Sequence, residues 1–217
     1  MRRLPRSERA TLAGPAGALE ALVEEPAAET PEEKPALFGV LCHPHPLHGG
    51  TLENKVVHTL ARALHELGVP TLRFNFRGVG ASEGAFADGI GETDDALAAV
   101  AWGRERWPGA EPWLLGFSFG GAVAMRAAAP ARARRLVTVA PALGRVATGD
   151  ALPQCPWLII QGDADELIEP RSVLDWAAAH APGAVVRVFA GAGHYFHGRL
   201  PELREAVIEF ARGLERR

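Results

Sequence analysis

Six short apolar runs alternate along the chain with segments of helix length, and this alternation constrains the fold more than any other feature. The runs occupy 36–42, 71–76, 112–116, 135–140, 157–161 and 185–189, each about as long as a strand buried on both faces. The segments 54–67, 92–107, 120–129, 170–179 and 201–214 read as helices; in the first, Val57, Leu60, Ala61, Leu64 and Leu67 share one side. Strands alternating with helices predict a mostly parallel sheet with helices on both faces, a three-layer α/β/α sandwich. Upstream, 9–13 and 17–24 flank Gly14-Pro15-Ala16-Gly17 and predict an antiparallel hairpin at a sheet edge. The stretch 24–35, rich in Glu and Pro, reads as an exposed connector. A chain of 217 residues suits a single domain, 1–217, large enough to bury a substantial core.

Composition narrows the classes of function. With 47% hydrophobic and 23% charged residues the chain is that of an ordinary globular protein. A formal net charge of -3 supplies no basic field, so no nucleic-acid partner is expected. No uninterrupted apolar stretch is long enough to span a membrane, and the arginines of 1–9 are not followed by an apolar export core, so a cytoplasmic location is expected. Cys42 and Cys155 sit beside apolar runs with no C-x-x-C pairing and read as buried thiols.

In an open parallel sheet the ligand crevice lies beyond the carboxyl ends of the strands, so the residues directly after each run carry the chemistry. After Trp113-Leu114-Leu115 comes Gly116-Phe117-Ser118-Phe119-Gly120-Gly121, a G-x-S-x-G in a strand–turn–helix setting. A sharp turn there holds the serine in a strained conformation, and side chains at the flanking glycines would meet backbone. Ser118 is the candidate nucleophile, although a serine between glycines alone could simply cap the helix. The run at 157–161 leads into Gly162-Asp163-Ala164-Asp165-Glu166, where Asp165 is the favoured orienting acid and Asp163 the reserve. Taken singly, either aspartate could equally form an Asx turn. The last run is followed by Ala190-Gly191-Ala192-Gly193-His194-Tyr195-Phe196-His197, which offers His194 as general base and His197 as its rival. The order Ser, Asp, His differs from the orders of chymotrypsin and subtilisin and is that of the α/β-hydrolases.

The loop after the first parallel run reads His43-Pro44-His45-Pro46-Leu47-His48-Gly49-Gly50. In a fold of this kind that loop supplies one backbone donor to an oxyanion, and the residue after the nucleophile, Phe119, supplies the other. Pro44 and Pro46 have no N–H, which leaves His45 or Leu47, with His45 preferred. A competing reading makes His43, His45 and His48 metal ligands. Against it, Leu47 stands where an H-x-H-x-D-H site has aspartate, and the barrels that use H-x-H need a longer chain.

With these residues placed, the chain resembles the compact bacterial α/β-hydrolases related to the dienelactone hydrolase and acylpeptidase group. The resemblance rests on His43 to Thr51, Asn54-Lys55, Arg73-Phe74-Asn75-Phe76-Arg77-Gly78-Val79-Gly80 with Ser82-Glu83-Gly84, the serine turn, Gly162-Asp163 with Asp165-Glu166, and Gly193-His194 with Phe196-His197-Gly198. It implies a hydrolase working by serine acyl transfer on a small-molecule acyl substrate, with no cofactor. It also implies that Arg77 and Gly78 shape the rim of the site. Serine stands where dienelactone hydrolases proper have cysteine, so lactone specificity is not implied. Only 141–155 lie between two strand runs, too few for a helical cap, so an open site is expected.

Overall fold

The computed structural model describes residues 5–26, 34–144 and 152–215. Eight strands form one sheet: β1 (Arg6–Gly14), β2 (Gly17–Glu25), β3 (Leu37–Cys42), β4 (Thr71–Phe74), β5 (Glu111–Phe117), β6 (Arg135–Val139), β7 (Trp157–Gly162) and β8 (Val185–Phe189). The helices are α1 (Lys55–Glu66), α2 (Ile90–Arg106), α3 (Phe119–Ala128), α4 (Pro170–His180) and α5 (Leu200–Glu215). The strand order is β1-β2-β4-β3-β5-β6-β7-β8. β1 and β2 pair antiparallel, as do β2 and β4, and every later pairing is parallel. The architecture is therefore the expected sandwich with an N-terminal antiparallel hairpin.

Side chains of successive strand residues point to opposite faces, and this period of two sorts the apolar runs into two cores. Phe38, Val40, Leu114, Leu136 and Ile159 pack with α2 and α3 on one face. Leu41, Trp113, Leu115, Phe117, Val137, Leu158 and Ile160 pack with α1 and α5 on the other. Helix α1 buries Val56, Val57, Leu60, Ala61, Ala63 and Leu64, and it starts where the Asn54 side chain accepts the Val56 and Val57 N–H groups. Such a cap is worth about 1 kcal/mol.

Several boundaries differ from the sequence reading for identifiable reasons. The run 71–76 leaves the sheet after Phe74: the Asn75 N–H still meets the Glu20 carbonyl of β2 at 2.8 Å, but the Phe76 N–H turns away to His43 Nε2 at 3.0 Å. Helix α2 begins at Ile90, since Glu92 reaches back to accept the Ala87 and Gly89 N–H groups. The run 185–189 is not a buried strand. As β8 it forms the sheet edge, and Val185, Val186 and Val188 are exposed. Cys42 is buried as expected, whereas Cys155 is only half-buried. Most of the connector 24–35 and part of the short link 141–155 lie outside the described residues.

Candidate active site

Three carboxyl ends of the sheet converge. Ser118 follows β5 with φ 56° and ψ −119°, a conformation that costs a non-glycine residue about 1–3 kcal/mol. Its neighbours fix it there. The Ser118 N–H donates to the Val139 carbonyl at 2.8 Å, and its own carbonyl accepts the N–H groups of Gly121 at 2.9 Å and Ala142 at 3.1 Å. The flanking glycines are required by close approach: a Cβ on Gly116 would overlap the Gly120 carbonyl, and one on Gly120 would overlap the carbonyls of Cys42 and His43.

Ser118 Oγ lies 3.0 Å from His194 Nε2, and His194 Nδ1 lies 2.8 Å from Asp165 Oδ2. All three residues are buried. An ionised Asp165 accepts the Nδ1 proton, which leaves the Nε2 lone pair for the serine hydroxyl. Asp165 comes from the loop after β7. Its Oδ1 accepts the N–H groups of Leu167 at 2.9 Å and Ile168 at 2.8 Å, and its Oδ2 accepts from Gln161 Nε2 at 3.1 Å. Burial alone would raise its pKa, but the bonds from His194, Ile168 and Leu167 outweigh it and hold the carboxyl below its ordinary range. The acid is thus kept ionised under a histidine.

The reserve candidates stand elsewhere. Asp163 Oδ1 accepts the Gly191 N–H at 2.6 Å and so pins the turn before His194. His197 is exposed, with its nearest ring contact to Tyr195 at 5.9 Å. Three residues to which the sequence reading gave no role support the site. Gln161, the one polar residue in its strand run, is fully buried and donates to Asp165. Glu166 accepts the His194 N–H at 3.1 Å, a bond that leads the lowering of its pKa. Phe117 lies 4.9 Å from the imidazole ring. Only Gln161 carried a visible signal, as a lone amide at the end of an apolar run.

The histidine loop closes the other side. His43 is fully buried; its Nε2 accepts the Phe76 N–H at 3.0 Å, while its Nδ1 lies 2.6 Å from the Pro44 carbonyl. Both bonds exist together only when Nδ1 carries the proton, so neither ring nitrogen is open to a metal ion. The metal reading therefore loses His43, and among the described residues no cluster of three potential metal ligands occurs. Pro46–His48 form a short 3-10 turn, in which the Leu47 N–H donates to His45 Nδ1 at 3.2 Å. The His45 ring lies 4.9 Å from that of Phe119. Phe119 opens α3, so its N–H is one of the four that lack an intrahelical acceptor.

The R-G-x-G loop is structural. Arg77 pairs with buried Asp95 of α2 at 2.7 Å, and Ser82 links the Glu20 N–H to the Asn75 carbonyl at 2.9 and 2.7 Å. These bonds tie the loop to α2 and β2.

The fold that carries this serine, histidine and aspartate is matched by comparison. The family model for the alpha/beta hydrolase fold matches residues 47–155, half of the chain. The chain belongs to the α/β-hydrolase family. A structure of XC6422 from Xanthomonas campestris, described as an α/β serine hydrolase without lid, is 40% identical, with TM-score 0.90 over 96% of this chain and 95% of that one. An α/β serine hydrolase homologue from Coxiella burnetii is 41% identical, with TM-score 0.86 over 93% of this chain and 96% of that one. An uncharacterized protein of Rickettsia prowazekii is 33% identical over 186 residues, 81% of this chain and 78% of its own. This α/β hydrolase is thus of the compact, lidless kind and of the hydrolase class. Among the described residues no helix is long and apolar enough to cross a membrane.

Proposed function

We propose that this α/β hydrolase is a carboxylesterase-type enzyme that cleaves an ester-like bond (carboxylester, thioester or small amide) of a small molecule through an acyl-enzyme, acting in the cytoplasm. The observation that carries the reading is the continuous line from Asp165 through His194 to the Ser118 hydroxyl, with links of 2.8 and 3.0 Å. His194 Nε2 takes the hydroxyl proton as Ser118 Oγ bonds to the carbonyl carbon, and Asp165 stabilises the imidazolium. The electron pair displaced onto the carbonyl oxygen is met by the backbone N–H groups of Phe119 and His45. Leu47, the other candidate in that loop, already gives its N–H to the His45 ring. Each such donor is worth roughly 3 kcal/mol in the transition state. His194 then returns the proton to the leaving alcohol, and a water deprotonated by the same imidazole releases the acyl group and restores Ser118.

Steady-state hydrolysis of p-nitrophenyl acetate tests this. Ser118→Ala should lower kcat by at least about 10⁴-fold while the circular-dichroism spectrum stays native. Undiminished turnover by that variant refutes the assignment.

A further inference from the structure

Asn54 caps α1, which leaves its neighbour Lys55 unexplained. Lys55 is the first residue of that helix, where the helix dipole favours a carboxylate and opposes a cation. With His58 and Arg62, at i+3 and i+7, it lies on one face of α1. These three side chains line a cleft of about 230 Å³ whose other wall is Leu200, Pro201 and Arg204 at the start of α5. The cleft thus lies between the helices that follow the His45 loop and the His194 loop. None of Ser118, Asp165 and His194 is among its described lining residues.

Its charge runs against that of the whole chain. Lys55, Arg62 and Arg204 are cations and no Asp or Glu is among the described lining residues, although the formal net charge of the protein is -3. Glu66 offsets part of this from outside, with its Oε1 3.2 Å from Arg204 Nη1. That contact holds the guanidinium at the wall without satisfying it, since the buried Nε has no acceptor among the described residues. The field at His58 has the same sign. Burial is the largest cause holding its pKa below the ordinary range, and among the charges around it Arg73 outweighs Glu24 and Arg62 outweighs Glu53. At neutral pH the imidazole is therefore an uncharged hydrogen-bonding group beside three cations.

Three cations match a group that carries more than one negative charge, and two guanidiniums suit the oxygens of a phosphate. Leu200 and Pro201 add an apolar wall for carbon. The volume falls below the roughly 300–1,000 Å³ of drug-sized sites, which favours a short phosphate ester. We propose that the cleft between α1 and α5 binds a phosphomonoester of a small organic group, at a site separate from the catalytic one. The proposal does not depend on the hydrolase reading.

Isothermal titration calorimetry at constant ionic strength tests it, with glycerol 3-phosphate, inorganic phosphate and glycerol as probes. The proteins are the parent, Lys55→Gln, Arg62→Gln and, as a control for net charge, Arg171→Gln. All three replaced side chains are exposed, and Arg171 lies on α4. Glycerol 3-phosphate should bind the parent once per chain and at least as tightly as phosphate, with no binding of glycerol. Its Kd should rise at least about tenfold in each cleft variant, the effect of losing one charge-assisted hydrogen bond, and stay unchanged in Arg171→Gln. The absence of saturable binding to the parent overturns the proposal. So does an unchanged Kd in either cleft variant, or an equal loss in the control. Binding confined to vesicles of phosphatidylcholine and phosphatidic acid, with none to the soluble ester, overturns it as well.

Discussion

His43 makes the stability of this fold sensitive to mild acid by a calculable amount. Its imidazole is wholly buried, and both nitrogens are committed to the neutral form protonated at Nδ1. Burial, partly offset by the bond to the Pro44 carbonyl, lowers its pKa to about 4, against about 6.5 in an unfolded chain. As pH falls the unfolded chain takes up this proton first. The stability His43 contributes is therefore complete above about pH 6.5 and is lost between there and pH 4, about 3 kcal/mol in all. Between pH 7 and 5 the loss from this group alone is about 2 kcal/mol. Urea unfolding of the parent and of His43→Gln at both pH values isolates it, because the carboxylates common to both proteins cancel. The parent should lose about 2 kcal/mol more than the variant across that interval. Equal losses would refute the argument that a single neutral tautomer is locked into this site.

Three further outcomes follow from the same geometry. Gly120→Ala drives a methyl group into the carbonyls of Cys42 and His43, so it should destabilise by about 1–3 kcal/mol or more; an unchanged melting temperature contradicts this. Gln161→Leu removes a buried donor to Asp165 and should lower kcat on a short ester about tenfold. An effect on KM alone would contradict that positioning role. Burial raises the thiol pKa of Cys42 well above its ordinary value and raises that of the half-buried Cys155 too. An aromatic disulfide reagent should therefore titrate Cys155 slowly and Cys42 only after denaturation, a pattern overturned if both react in the native protein.

What the sequence exposes here depends on how local the cause is. Ser118, Asp165 and His194 each follow an apolar run directly, and the glycines at 116, 120, 191 and 193 mark the turns that aim them, so all three were legible. The early end of β4 was not, because it depends on His43 Nε2, more than 30 residues away, which takes the Phe76 N–H. The exposure of β8 was hidden for a related reason. A run of valines has the same pattern at a sheet edge as in its middle, and the position is set by strand order alone. The bond from the Leu47 N–H to His45 Nδ1, which supports His45 over Leu47 in the proposed oxyanion site, is one that spacing does not encode. Gln161 read as the polar end of a strand, since its partner Asp165 only comes within reach once the following loop folds back.

The central claim is that burial and the Asp165–His194 pair make one serine hydroxyl nucleophilic at neutral pH. Intact-mass and peptide mass spectrometry after exposure to a fluorophosphonate measures that reactivity directly. The account predicts a single adduct on Ser118 that disappears in His194→Ala. An unmodified Ser118, or an adduct that forms as readily without the imidazole, would contradict it.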